Sequence, residues 1–171
     1  MAEHVWLLPL KDLDDDARAI KLGEIAELEV LEGQRRFVGE PLRMVLIGLE
    51  EESRHPFAID ANGSAVGVLT LQTGAATLAG WADDDSVWLL SGFLIDRRLQ
   101  GKGLGTRAAE AAVRAAAKLT AALGGGQAGV VLSVNEHNPA GQAAYRKAGF
   151  EDRGQYLGGD AVPQRTMYRP F

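Results

Sequence analysis

The chain contains no cysteine, which excludes disulfides and thiolate metal sites and leaves the redox compartment open. Histidine is scarce as well. His4, His55 and His137 lie far apart, without the spacing of metal ligands, so no metal site is expected. The opening "MAEHVWLLPLKD" lacks a basic start, and its apolar run is far shorter than a signal sequence or a membrane span requires. A cytoplasmic chain with no membrane partner is the expectation. Positive charge is in deficit, with 18 Lys and Arg against 23 Asp and Glu, for a net charge of −5. Such a chain repels nucleic acid, so no nucleic-acid partner is expected and any anion site has to be local. Internal repeats and heptads are absent too.

What is present is a length of 171 residues with 46% hydrophobic positions, enough for one well-buried core and short for two. A single domain over 1–171 is expected. "HVWLLPL" reads as a first strand. Leu13, Ala17, Ile20, Leu28 and Leu31 then fall near helical spacing through "LDDDARAIKLGEIAELEVLEG", with Asp14 to Asp16 at the positive end of the helix. A second helix starts at Pro41. "HPFAID" and "AVGVLTLQT" flank an Asn-Gly pair, which signals a hairpin. "VWLLSGFLID" has the length and composition of a buried central strand. A helix from Leu104 to Leu123 follows, with Leu104, Ala108, Ala112, Ala116 and Leu119 on one face and a glycine triplet at its end. "AGVVLSVNE" is the next strand, and a short helix over 139–148 has Asn138 as cap, Pro139 in its first turn and Gly149 as stop. Two strands, "FEDRGQYL" and "QRTMYRPF", close the chain. The order is that of a mixed sheet with helices packed on it.

Between the central strand and the long helix lies "RRLQGKGLGT", residues 97–106. The Walker pattern fails here, because the position five residues before Gly101 is Asp96 rather than glycine. Gly103, Gly105 and Ala108 satisfy the dinucleotide spacing, but Arg97 to Lys102 separate them from the strand, and the next acidic candidate for a ribose, Glu136, lies well beyond the expected interval. The pattern Q-x-x-G-x-G is met by Gln100, Gly103 and Gly105, with Gly101 added. Glycines let backbone N–H groups approach an anion closely, and the following helix offers uncapped amides and the positive end of its dipole. Lys102 and Arg107 add charge, whereas Arg97 and Arg98, ahead of Gln100, read as solvated. A phosphate cradle and a plain glycine turn both satisfy this stretch taken alone.

One strand and one helix further on, "NPAGQAAYRKAGF" matches N-x-x-A-x-x-x-Y-x-x-x-G-F, with Gly141 where alanine is usual. Together the two motifs resemble the GNAT superfamily of N-acetyltransferases. That resemblance implies an α/β (α+β) fold: a mixed, mostly antiparallel six- or seven-stranded sheet with helices on both faces and a parallel pair of splayed central strands. It implies an acyl-CoA-dependent N-acetyltransferase that uses acetyl-CoA as co-substrate. By the same resemblance the backbone of Phe93, Leu94 and Ile95 binds the cofactor arm and polarises the thioester carbonyl. Gln100, Gly101, Lys102, Gly103, Leu104, Gly105 and Thr106 take the pyrophosphate. Asn138 matches a position that contacts the cofactor arm, alongside its reading as a helix cap. Tyr145 matches the catalytic tyrosine that hydrogen-bonds the departing sulfur.

The family's usual base, a glutamate on the central strand, is missing, since "WLLSGF" offers only Ser91. Glu32, Glu40 and Asp60 are candidates by charge alone, and the base is unassigned. Gln34, Phe37 and Val38, with "ID-x-x-x-QGKG", resemble the bacterial spermine/spermidine acetyltransferase branch. A small-molecule amine, in particular a polyamine, would suit the acidic chain and the loop Asp83 to Asp85, a loop that ordinary solubility also explains. Acetylation of peptide N-termini or of an antibiotic amine, a non-catalytic acyl-CoA sensor and a dinucleotide oxidoreductase are the alternatives. Exposed sheet edges would allow a homodimer.

Overall fold

The computed structural model describes residues 4–31, 40–158 and 162–171, and its elements follow one another in the expected order. The strands are β1 (Val5–Pro9), β2 (Arg54–Ala61), β3 (Ser64–Gln72), β4 (Trp88–Ile95), β5 (Gly129–Asn135), β6 (Glu151–Tyr156) and β7 (Gln164–Pro170). The helices are α1 (Asp15–Ala26), α2 (Pro41–Glu50), α3 (Leu104–Leu123) and α4 (Pro139–Lys147). One seven-stranded sheet runs in the order β1-β2-β3-β4-β5-β7-β6. The β1–β2, β5–β7 and β6–β7 pairs are antiparallel. The β4–β5 pair is parallel, through Trp88↔Val130 and Leu89↔Val131. This is the mixed, mostly antiparallel sheet that the sequence implied. Among the described residues no helix is long and apolar enough to cross a membrane.

By contacts the chain groups into two compact units. The first comprises Met1–Thr70 and Ser91–Ala108. Its core gathers Leu10, Ile25, Val45, Ala58, Val68 and Leu94, and full burial of a side chain such as Leu10 or Ile25 contributes about 1.5–3 kcal/mol. Helix α1 starts where Asp14 Oδ1 accepts from Ala17 N–H at 2.7 Å. Arg18 donates from Nε to Leu10 O and from Nη2 to Leu13 O, 2.8 Å each, so its guanidinium ties the preceding turn to the helix. The hairpin turn between β2 and β3 holds Asn62 at φ 54° and Gly63 at φ 83°, both left-handed, as a two-residue turn of the I′ kind requires.

Helix α1 is shorter than its hydrophobic spacing suggests. It ends at Ala26, and residues 28–31 are extended or irregular. The cause is tertiary: Glu29 O accepts from Arg97 N–H at 2.8 Å, and Asp96 Oδ2 accepts from Glu29 N–H at 3.2 Å, so this backbone is held by the end of β4. Ile20, placed on the apolar face by spacing, is 65% exposed, while Ile25 is the residue the helix buries.

The second unit comprises Leu71–Leu90 and Ala109–Phe171. Ala75, Ala76, Ala79, Val87, Leu89, Val131 and Tyr168 form its core, with Trp81 stacked on Tyr168 at 4.5 Å. Trp88 is fully buried and donates from Nε1 to Thr120 Oγ1 at 2.7 Å, and Thr120 Oγ1 passes a bond to Ala116 O. Helix α3 stops at the glycine triplet as expected. Gly124 takes φ 66°, and Gly125 N–H reaches back to Thr120 O at 2.9 Å, closing the last turn. Edge strand β6 carries Glu151, Asp152 and Arg153 and is broken by a bulge between Asp152 and Gln155, features that discourage pairing with another chain.

Candidate active site

The C-terminal end of β4 is locked before the glycines begin. A β-carbon on Gly67 of β3 would overlap the Leu94 carbonyl oxygen, so glycine there lets β3 approach β4 closely. Asp96, 2% exposed, caps the short 3₁₀ turn Arg97–Leu99 by accepting from Arg98 N–H at 2.8 Å. The Arg98 guanidinium grips both carboxylate oxygens, Nε at 3.0 Å and Nη2 at 2.7 Å. Those bonds hold the Asp96 carboxyl down at about 2. Arg97 pairs with Glu29 at 2.6 Å. Arg97 and Arg98, expected to be simply solvated, are therefore clamps on the strand end.

Gln100 turns back and donates from Nε2 to Ile95 O at 3.0 Å, tying the glycine segment to the strand. Gly101 and Gly103 take φ 82° and 80°, conformations that glycine adopts without strain. Both are exposed, as is Lys102. Space beside Gly101 is open, and the Arg107 guanidinium lies beside Gly103, 3.7 Å from where a β-carbon would be. Helix α3 begins at Leu104, buried at 1%, so the first-turn amides of Leu104, Gly105 and Thr106 lead the helix while its body is anchored. An exposed glycine segment, a helix start and two cations fit a diphosphate. Phe93 is half-buried, and Leu94 and Ile95 are buried within β4. One further feature of β4 escaped the sequence reading: Gly92 sits in mid-strand at φ 58°. That left-handed residue re-aims the backbone ahead of Phe93.

In the second unit, Asn138 caps α4, with Oδ1 accepting from Gly141 N–H at 2.9 Å. Gly141 is the departure from the family pattern, and a β-carbon there would lie 2.5 Å from Asn138 Nδ2. Gln142 Nε2 donates to Asn135 O and Glu136 O, at 3.1 and 3.0 Å, and fixes the connection from β5 into α4. Tyr145 meets Phe150 edge-on, with ring centroids 6.1 Å apart. Burial pushes its phenol up to about 12.

Among the acids offered as bases, Asp60 is 6% exposed, and its Oδ2 accepts from Lys21 Nζ at 2.6 Å, so it is paired with α1. Glu40 precedes α2 and lines a cavity of about 320 Å³ with Ile25, Leu28 and Leu42 among others. Ser91 is half-buried in β4. Glu32, Gln34, Phe37 and Val38 lie outside the described residues. In the acidic loop, Asp83 accepts from Ser86 and Asp84 from Thr77, through both backbone and hydroxyl groups, bonds that lower both carboxyls and hold the loop.

The family model for the acetyltransferase (GNAT) family matches residues 15–150, which include both motifs. The chain belongs to that family. It is thereby an acyl-CoA-dependent N-acetyltransferase by family. No curated protein matches the sequence significantly. Solved structures share the GNAT fold. An aminoglycoside acetyltransferase in complex with coenzyme A and kanamycin superposes at TM-score 0.64 and 20% identity, over 99% of this chain and 95% of that one. The spermidine N-acetyltransferase of Vibrio cholerae, in complex with CoA and spermine, gives 0.64 and 14%, over 97% and 95%. An acetyltransferase from Thermus thermophilus gives 0.60 and 21%, over 100% and 98%. At these identities the likeness carries the fold.

Proposed function

We propose that this chain, acting as one cytoplasmic domain over 1–171, transfers an acetyl group from acetyl-CoA to a primary amine of a small polycationic molecule. The reading rests on one observation: β4 runs through an Asp96-clamped turn and Gln100 into an exposed, left-handed glycine segment that opens helix α3. In this assignment Phe93, Leu94 and Ile95 hold the cofactor arm by backbone, Gln100 to Thr106 bind its pyrophosphate, and Asn138 adds a contact while capping α4. The amine nitrogen attacks the thioester carbon, a carbon–nitrogen bond forms, the carbon–sulfur bond breaks, and the nitrogen sheds a proton as the sulfur leaves as thiolate and gains one. Tyr145, with its phenol near 12 against about 8.5 for a thiol, is a hydrogen-bond donor to that sulfur rather than a full proton source.

The polycation part is supported by the net charge of −5 and by two neighbours of the same fold whose ligands are kanamycin and spermine. The acidic loop supports it less than its composition suggested, since Asp83 and Asp84 are used internally. Thiol release from acetyl-CoA, measured across spermidine, an aminoglycoside, a peptide N-terminus and a neutral monoamine, tests it. Preference for spermidine or the aminoglycoside upholds the reading. Preference for the peptide or monoamine removes the polycation, and CoA binding without thiol release from any amine makes the chain a sensor. The homodimer suggested by the sheet edges is tested by sedimentation equilibrium.

A further inference from the structure

Helix α4 has Asn138 at its cap and Tyr145 in its body, yet none of its nine residues is fully buried. A helix that short is marginal on its own, so its place has to be set by what it is tied to. The ties come from β7. Arg165 and Arg169 stand opposite Val134 and Val130 of β5, an even number of positions apart, so both side chains leave one face of the sheet. Arg169 holds the end of the helix, where its Nη1 donates to the carbonyl of the C-terminal cap, Ala148 O, at 2.6 Å. A cation there meets an orphan carbonyl and the negative end of the helix dipole. The fit is close, since a β-carbon on Gly149 would stand 3.2 Å from Arg169 Nε. Arg165 holds the entrance. Its Nη1 donates to Glu136 Oε1 at 3.3 Å, just ahead of the Asn138 cap, and Gln155 Nε2 joins the same oxygen at 3.1 Å. Its Nε and Nη2 take both oxygens of Asp152 at 3.1 and 3.0 Å, a two-pronged pairing that fixes direction as well as distance. Asp152 Oδ2 accepts in turn from Arg146 Nη2 at 3.4 Å, on the residue after Tyr145.

The side chains of Arg165, Asp152 and Glu136 are only 30%, 24% and 27% exposed, so this is a linked and shielded network rather than an isolated surface pair. Its members come from β7, from β6 and from the connection between β5 and α4, while Arg146 brings in the helix itself. Tyr145 therefore stands between two anchored points. A displacement of about 1 Å in a group that acts on the reaction can cost about a hundredfold in rate. We infer that Arg165 and Arg169 are positioning residues: two struts from β7 that set the lie of α4 and, with it, the place of the Tyr145 phenol. This rests on the proposed function, because it takes Tyr145 as the donor to the departing sulfur. A strut that acts through Tyr145 is worth no more than the tyrosine itself.

The test is a double-mutant cycle on thiol release from acetyl-CoA, run with the fastest of spermidine, kanamycin, a peptide N-terminus and a neutral monoamine, with CoA binding followed by calorimetry. Arg165→Met and Arg169→Met keep an unbranched stem and lose the donors, and circular dichroism with thermal melts sets a temperature at which every variant is folded. Each is expected to lower kcat about fivefold, with CoA affinity and KM for acetyl-CoA within about twofold, and to cost less than about twofold once Tyr145→Phe is present. A general loss of structure would not vanish in that background. The lysine variants carry the same cycle should methionine unfold the chain. Arg169→Lys should recover most of kcat, because one donor serves the Ala148 carbonyl, and Arg165→Lys less, because an ammonium cannot span Glu136 and both oxygens of Asp152. Equal losses with and without Tyr145→Phe, or no loss of kcat for either arginine, overturn this inference and leave the proposed function standing. An unchanged rate in Tyr145→Phe alone removes the tyrosine and its struts together and leaves acetyl transfer. No thiol release with any of the four amines overturns the struts and the transfer reading at once.

Discussion

Between Asp96 and Thr106 the chain presents backbone, and between Asn138 and Phe150 it presents side chains. In the first stretch Gly101 and Gly103 are exposed at left-handed φ, and the side chains of Asp96, Arg98 and Gln100 fasten the strand end. In the second, Asn138 and Tyr145, the side chains proposed for the chemistry, stand at the cap and in the body of helix α4. A site made of backbone is specified by what is left out, and its stability depends on residues that allow close approach. A site made of side chains is specified by what is present and tolerates changes in the scaffold beneath it.

The same substitution can break or sharpen that contrast. Gly67→Ala adds a methyl where the Leu94 carbonyl stands, and a backbone atom cannot swing away; the expected loss is about 3 kcal/mol, the upper end for overpacking, read from urea unfolding. Asp96→Asn comes next, at about 2 kcal/mol, because the buried Asp96 side chain gives up its charge-assisted bonds to the half-exposed Arg98 guanidinium. Its sign with pH is fixed. The native carboxyl titrates at about 2, below the ordinary carboxylate range, so the stabilisation is complete above about pH 4 and is lost as pH falls through 2. Wild type and Asp96→Asn should therefore differ at pH 7 and converge in acid melts.

In the side-chain stretch, Tyr145→Phe should lower turnover about tenfold, or about 1.4 kcal/mol of barrier, with CoA affinity within about twofold. Because its phenol is held near 12, turnover should show no basic limb from Tyr145 between pH 8 and 10. Stability, by contrast, should fall as pH rises from about 10 toward 12, since the unfolded phenol ionises first. The smallest effect belongs to Gly141→Ala. The added methyl meets the far end of the Asn138 side chain, which can rotate, so about 1 kcal/mol of lost capping is set against a similar gain in helix propensity. A change within about 0.5 kcal/mol is expected by thermal melting. A Gly141→Ala loss as large as that of Gly67→Ala would erase the distinction between the two stretches.

Element order was readable because its signals are local: Asn62-Gly63 in the hairpin, Pro41 and Pro139 in first turns, Asn138 as cap, and the glycine triplet after α3. The end of α1 was not, because helical spacing through Leu31 says nothing of Asp96 and Arg97, which capture Glu29 from far along the chain. The same distance hid the pairing of Arg97 with Glu29, whereas Arg98 grips Asp96 only two residues before it. The glycine segment was visible in the spacing of Gln100, Gly103 and Gly105. Its support from Gly67 was not, since a glycine in a strand names no partner. Asp60 attracted notice as an acid, and only the fold reveals Lys21 beside it. Gly92 resembled any other glycine in an apolar run until its φ set it apart.

Trp88 gives β4 an optical property of its own. Its indole is sealed from solvent with Nε1 bonded to Thr120, whereas Trp6 is 61% exposed on an edge strand. Indole emission follows its surroundings, so a water-soluble quencher should silence Trp6 and leave a blue-shifted signal to which Trp88 contributes. The strand that carries Gly92 and Phe93 thus begins with a native fluorophore, and ligand titrations along it need no label.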